Sequence, residues 1–254
     1  MDIDNTGLSK VLVIDSSKRI VGSECGSFSV NIGNSSEAHK VAKVALVSLS
    51  GFNTIYNIDA KNNKLSFLTN VDAVQTITVT PGFYTINELE PIIVGLMNAT
   101  AFNNFSMTNN TNTLKETIVI DAGTFTLVAV DNDIYRALGI DNTALPVAQA
   151  TFTGPNVIAL SGITAIYMRS QAISANNSAE SDGTSSNVMV VIPVITPFGA
   201  SISYTSPTEE SDAILYNGTT DLTTMDIQLT DNDANVLCFN GGEVDIVLKI
   251  YYKK

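Results

Sequence analysis

The side chains that could do chemistry in this chain are few. There is one histidine, His39, in "SSEAHKVAKV", and two cysteines, Cys25 and Cys238, far apart in sequence. Any Ser-His-Asp or Cys-His arrangement must use His39. Nothing around it has the form of a nucleophile elbow or a papain-type cysteine, so it reads as a surface or strand-edge histidine. The cysteines have no C-x-x-C spacing and no histidine partners, which argues against zinc and against a disulfide framework. Both are expected to be buried, reduced thiols.

Carboxylates are the more plentiful resource. "DNDIY" places Asp131 and Asp133 two apart, and "LTDNDANV" does the same with Asp231 and Asp233. Neither continues into the Gly and distant Glu of an EF-hand loop, so these pairs read first as turn residues, with a bound cation left open. Nineteen acidic residues between 65 and 248 could supply the two carboxylates of a glycoside hydrolase. The chain has no Trp, however, and so lacks the usual sugar-stacking platform; this weakens a hydrolase and a lectin alike. There is no P-loop, no G-x-G-x-x-G and no basic aromatic stripe. No cofactor is expected.

Charge is divided unevenly. Residues 1–64 carry seven Lys/Arg against six Asp/Glu, residues 65–248 carry three against nineteen, and the last six residues carry Lys249, Lys253 and Lys254. An acidic middle repels phosphate backbones, so no specific nucleic-acid binding is expected. The start "MDIDNTGLSK" lacks the basic and apolar regions of a signal peptide, and no apolar run approaches the roughly 20 residues of a membrane span. Sequons such as Asn98-Ala-Thr100 and Asn217-Gly-Thr219 are therefore expected to stay bare.

The elements that must position these residues are mostly strands. Alternating apolar and polar runs, rich in Val, Ile, Thr, Phe and Tyr and broken by Gly, Asn, Asp and Pro, point to antiparallel β structure. Phe28, Val30 and Ile32 alternate at one end; Val244, Ile246, Leu248, Ile250 and Tyr252 alternate at the other. The runs at 41–50 and 188–195 are apolar on both faces, as in central or interface strands. "KETIVIDAGTFTLVAV" reads as a hairpin turning at Ala122-Gly123. One helix is expected in "YTINELEPIIVGLMNAT", with a Thr85/Glu88 capping box and an apolar face of Leu89, Ile92, Ile93, Leu96 and Met97; Pro91 favours a later start, at Glu90. "DNDIYRALGI" reads as a second, short helix ended by Gly139, and 171–187 as a polar loop.

Several stretches together resemble a known family, the penton (vertex minor capsid) proteins of virophages, polinton-like elements and related large double-stranded DNA viruses. "VLVIDSSKRIVGSECGSFSVNIG" resembles the family's opening strand, D-S-x-x-R knot and Ser-Phe strand. "VALVSLSGFNTIYNIDAKNNKLSF", "ITVTPGFYTINELEPIIVGL", "ALGI" at 137–140, "GITAIYMRS" and "LTDNDANVLCFNGGEVDIVLKIYY" resemble later elements in the same order. Phe52-Asn53-Thr54 lacks the proline common in that pattern, and Ile140 replaces its usual aromatic.

The resemblance implies a mainly β fold: a single jelly roll, an antiparallel β-sandwich, with an inserted α/β region carrying one amphipathic helix. It divides the chain into an arm and first strands (1–53), an insertion (54–160) and the remaining strands (161–254). It implies a non-enzymatic homopentamer at the fivefold vertices of an icosahedral capsid, beside a major capsid protein, in virions assembled in the host cytoplasm. A host receptor could be met through the insertion. A receptor- or glycan-binding head is the alternative function, and a carboxylate-dependent glycoside hydrolase a further one.

A jelly roll pairs its first and last strands, which is expected to bring the strand around Phe28 beside that around Ile246. Asp15-Ser-Ser-Lys-Arg19 becomes a turn after an N-terminal arm. Val11, Leu12, Val13, Ile14, Lys18 and Arg19 are expected to form a capsid-contact arm outside the core, and Lys10, Lys249, Lys253 and Lys254 a basic base.

Overall fold

The computed structural model describes residues 8–18, 26–31, 41–143, 145, 147–172, 187–208, 213–215, 222 and 224–252. The chain divides into two compact units, Met1–Ile55 with Ile163–Lys254, and Tyr56–Gly162.

The first unit is a sandwich of two antiparallel sheets. One runs β1 (Leu8–Asp15), β15 (Val244–Tyr252), β3 (Val41–Phe52), β12 (Ser201–Thr205), with β13 (Ala213–Leu215) also paired to β3. The other runs β11 (Val188–Pro193), β10 (Ala165–Arg169), β14 (Thr224–Thr230), β2 (Ser27–Asn31). Setting β13 aside and numbering this unit's strands in chain order, the sheets read 1-8-3-6 and 5-4-7-2. That order is the jelly roll, and the second unit enters between its third and fourth strands.

Period-2 patterning makes the core. Along β15 Val244, Ile246, Leu248 and Ile250 are buried; they join Val44, Leu46 and Leu49 of β3 and Phe28, Met168, Met225, Ile227 and Leu229 of the facing sheet in one cluster. β3, apolar on both faces, is central. β11, apolar in the same way, instead ends its sheet, with Val191 partly exposed and Ile195, just beyond it, 90% exposed.

Two expectations change here. Phe28 is not beside Ile246: β2 pairs with β14 in the opposite sheet, and the strand beside β15 is β1, in register from Leu8↔Tyr252 to Asp15↔Asp245. The rule that first and last strands are neighbours holds, but the first strand is the apolar run at 11–14. That run is therefore not outside the core. Ile14 is buried in the cluster and Leu12 packs against it, while Val11 and Val13 stand 58% and 66% exposed on the other face.

The Asp15 knot is a built turn. Asp15 Oδ1 accepts from the Ser17 N–H at 2.9 Å and from its hydroxyl at 2.6 Å, an Asx-type closure, and Lys18 Nζ lies 3.3 Å from Oδ2. Buried Ser16 accepts the Val244 N–H at 2.7 Å, which fastens the turn to β15. Gly26 just before β2 is required by close packing, since a Cβ there would meet the Leu237 carbonyl oxygen at 2.5 Å.

The second unit has its own core. β5 (Gln75–Thr78), β4 (Lys64–Thr69) and β8 (Phe125–Val128) form one small sheet; β6 (Phe105–Asn110), β7 (Lys115–Ile120) and β9 (Thr151–Thr153) form another. The expected hairpin at Ala122-Gly123 is not one: β7 pairs with β6 and β9, while β8 crosses to pair with β4. Phe67, Phe105 and Phe125 meet edge to face, with centroids 5.1 and 5.4 Å apart. The fully buried Tyr135 places its hydroxyl 2.9 Å from the Ser66 carbonyl and 2.5 Å from that of Val128, two residues paired across β4 and β8.

The helix α1 (Ile86–Thr100) starts at the Thr85 cap despite Pro91, which lies inside it. Glu88 accepts from the Thr85 N–H at 2.9 Å and its hydroxyl at 2.8 Å. Leu89, Ile93 and Met97 form the buried stripe, and Ile92 is 37% exposed. The second expected helix is a single turn. Asn132 (φ 60°) and Gly139 (φ 70°) bracket it, and bonds from Gly139 N to Arg136 O and from Ile140 N to Tyr135 O close it as a Schellman motif with glycine at the left-handed position.

Four exposed carboxylates give a pH prediction. Asp15 is held below its ordinary range first by the Ser17 hydroxyl, Glu88 by the Thr85 N–H, Asp121 by the Asn104 side chain and Asp141 by the Thr143 hydroxyl. Each is more acidic folded than unfolded, so its contribution is complete above the unfolded pKa and lost as pH falls through the lowered folded value. In urea titrations, the stability gap between wild type and an Asp15→Asn, Glu88→Gln double variant should shrink as pH drops below about 4; a gap that stays constant would contradict this origin.

Candidate functional site

The residues singled out by chemistry disperse. Cys25, His39, Arg19, Lys253 and Lys254 lie outside the described residues, as does the Asn217 sequon. Cys238 is exposed, not buried, because Leu237 and Phe239 on either side point inward. Asp133 accepts the Tyr135 N–H at 3.0 Å and the Asn142 amide at 3.3 Å. Asp231 accepts the N–H groups of Asp233 and Asn235 and the Asn235 amide at 2.8 to 3.0 Å. Both therefore serve turns, and among the described residues no group of three or more His, Cys, Asp or Glu is placed to hold a metal ion.

Lys10 and Lys249 sit on adjacent strands, but Lys10 is opposite inward-facing Ile250 and Lys249 opposite outward-facing Val11. They fall on different faces of the sheet. Lys249 lies over the Tyr251 ring at 5.2 Å, and Lys43, itself buried, lies over it at 4.4 Å, so the cationic feature of this sheet is an aromatic ring flanked by two ammonium groups. Lys18 is engaged with Asp15.

Asn53, Asn57 and Asn63 act as fasteners. Asn57 donates to the Tyr84 and Leu160 carbonyls at 2.7 and 2.8 Å and accepts the Tyr84 N–H at 2.9 Å. Asn63 donates to the Val79 carbonyl and Asn53 to that of Thr196, both at 2.9 Å. These amides bridge segments far apart in sequence.

One constellation escaped the sequence reading. Glu116 is 1% exposed, and neither of its oxygens has a hydrogen-bond partner; Glu90 Oε1 and Asn109 Oδ1 are likewise buried and unpartnered. Burial first, then the Glu90 carboxylate, push Glu116 up to about 8. The Thr117 and Thr108 N–H groups pull weakly the other way without reaching hydrogen-bonding geometry. The signal was present in the sequence: Glu116 shares parity with Ile118 and Ile120, Asn109 with Phe105 and Met107, and Glu90 precedes Ile93 by three. In a glycosidase the two carboxylates need at least about 5 Å between them and access to sugar; this pair is in direct contact, with Glu116 buried and Glu90 half-buried.

Besides the Val11 and Val13 stripe of β1, exposed apolar side chains gather at two further places. In the first unit Phe52, Ile195 and Phe198 are 56%, 90% and 38% exposed, and Asn53 bonds to the backbone of 196–200 beside them. In the second, Val71, Val74 and Phe102 are exposed, with the Phe102 N–H on Asp72.

By strand order the first unit is a single jelly roll, in a mainly β chain with one α-helix among the described residues. No protein-family model matches the chain, and no curated protein matches it. Among solved structures it is similar to the mavirus penton protein, with 9% identity over 96% of this chain and 98% of that one at a TM-score of 0.46. It is similar to a chain of the Sputnik virophage structure, with 11% identity over 96% and 98% at 0.46. It is similar at 0.24 to the D2-D3 domains of the flagellar cap protein FliD from Escherichia coli, with 15% identity over 78% of this chain and 100% of that one. No described helix is long and apolar enough to cross a membrane.

Proposed function

We propose that this chain is a structural capsid protein, a penton that forms homopentamers at the fivefold vertices of an icosahedral shell beside a major capsid protein. One observation carries the reading: the penton-like stretches lie on the joints of a complete jelly roll. The opening stretch supplies β1, the knot that Ser16 fastens to β15, and β2; the asparagine-rich stretch is the passage from β3 into the insertion. Jelly rolls serve chiefly capsids, lectins and cupins. A single histidine is too few for the usual metal site of a cupin, and the absence of Trp disfavours a lectin.

In this reading β1 is the docking element. Its outer edge has no partner strand among the described residues, and Val11 and Val13 present an apolar stripe beside it, so a neighbouring subunit can add a strand or pack on the stripe. Lys249, on the same face as Val11, supplies positive charge toward acidic neighbours. A host receptor would meet the insertion, which carries nine Asp/Glu against four Lys/Arg in 56–162. The protein resides in the virion and assembles in the host cytoplasm. It performs no catalysis.

Native mass spectrometry at micromolar concentration tests this. The expected species has five times the 27.0 kDa mass of the chain. A trimer would favour a fibre-head module, and monomers alone, both free and in purified particles, would overturn the reading.

A further inference from the structure

We propose that Glu90, Glu116 and the amide oxygen of Asn109 bind a divalent cation, calcium by chemistry, inside the Tyr56–Gly162 unit. The inner face of the β6–β7 pair is built in rows: Phe105 opposite Ile120, Met107 opposite Ile118, then Asn109 opposite Glu116. Two apolar rows are followed by one carrying the three acceptor oxygens of Glu116 and Asn109, with the Asn109 NH2 as its side-chain donor group. The helix is pinned at the apolar end, where the Asn98 amide donates to the Phe105 carbonyl at 3.2 Å and accepts the Phe105 N–H at 2.6 Å.

From that pin, eight residues back along α1 reach Glu90, about 12 Å away at helical rise. Four residues forward along β6 reach Asn109, about 13 Å away at strand rise. Glu90 is thus level with the acceptor row, and it touches Glu116.

Four oxygens without a hydrogen-bond partner, two from Glu116 and one each from Glu90 and Asn109, belong to residues brought together by strand register and by the contact of Glu90 with Glu116. No Lys or Arg is among the groups acting on Glu116; those are Glu90 and the backbone of Thr108 and Thr117. Burying a carboxylate without a partner is costly, and a lone like-charged neighbour raises that cost. A dication cancels the two negative charges and takes the acceptors as ligands. All-oxygen donors favour a hard cation over zinc or copper. Four protein oxygens in irregular array, completed by water or backbone carbonyls, suit the six to eight flexible positions of calcium better than the strict octahedron of magnesium. Such an ion would tie α1, β6 and β7 together at the end of the unit where apolar packing stops.

The test uses the full chain, stripped with EDTA and titrated with CaCl2 or MgCl2, followed by calorimetry and thermal melting. Wild type should bind about one calcium per chain and melt higher with it, with magnesium weaker. Glu116→Gln removes the charge but keeps the shape, so it should fold in EDTA at least as well as wild type and lose tenfold or more in calcium affinity; Glu90→Gln should behave alike. Absence of both heat and melting shift in wild type at millimolar calcium would overturn the site and leave a carboxyl pair sharing a proton. An undiminished response in Glu116→Gln would overturn it too, placing the ion elsewhere, as at the Asp131 or Asp231 turns.

Discussion

Deleting residues 1–14 is expected to prevent cooperative folding of the jelly roll. The deletion strips seven of the eight residues paired to β15, removes the buried Ile14 and opens one flank of Ile246, Leu248 and Ile250 to water. Ile14→Ala alone should cost about 2 to 3 kcal/mol, and loss of the whole strand several times that, which is comparable with the entire stability of an ordinary domain. Circular dichroism and urea titration should show a broad or absent transition. The opposite face of the same strand separates folding from docking. Val11→Lys with Val13→Lys lies on exposed positions, so stability should stay within about 0.5 kcal/mol, while incorporation into purified particles falls. A truncated chain that melts like wild type would show that β15 holds the sheet without β1; normal incorporation of the double-lysine variant would remove the proposed docking role.

Phe67→Ala should be the most damaging single change in the other unit, at about 3 to 5 kcal/mol. Phe67 is fully buried in β4 and stacks edge to face on Phe105, which does the same with Phe125. One truncation therefore removes a ring and leaves Phe105 with one of its two ring partners. Because each unit has a separate apolar cluster, hydrogen exchange should accelerate in β4, β5 and β8 while β3 and β15 keep their protection. Equal acceleration in β3 and β15 would mean that the units unfold as one.

Local structure was legible in the sequence wherever a local cause sets it. Alternation marked β15, the Thr85/Glu88 spacing marked the helix start, and Asp15 followed by two serines marked a turn. The helix start also shows one local signal overruling another, since the capping box and the Leu89, Ile93, Met97 stripe outweigh the missing N–H of Pro91. What failed was pairing, which is a non-local choice. Nothing near Phe28 says that its strand belongs with β14, and nothing near Gly123 says that β8 leaves its neighbour for β4. The short helix in "DNDIYRALGI" fails because left-handed residues at 132 and 139 leave room for a single turn. The acceptor row was missed because Glu116 and Asn109 stand on different strands, and only their register makes a cluster of them.

The position of β15 between β1 and β3 has a consequence for synthesis. β1 and β3 emerge early from the ribosome, yet neither can be joined to the other until residue 252 has been made. Through most of translation the nascent chain therefore carries a twelve-residue strand, apolar on both faces, with its eventual neighbour not yet polymerised. Residues 56–162, contiguous and with a core of their own, can collapse meanwhile. Contacts spanning nearly the full sequence, such as Leu8 with Tyr252, slow the closing step, so the interval before release is when β3 needs chaperone cover against association with other unfinished chains.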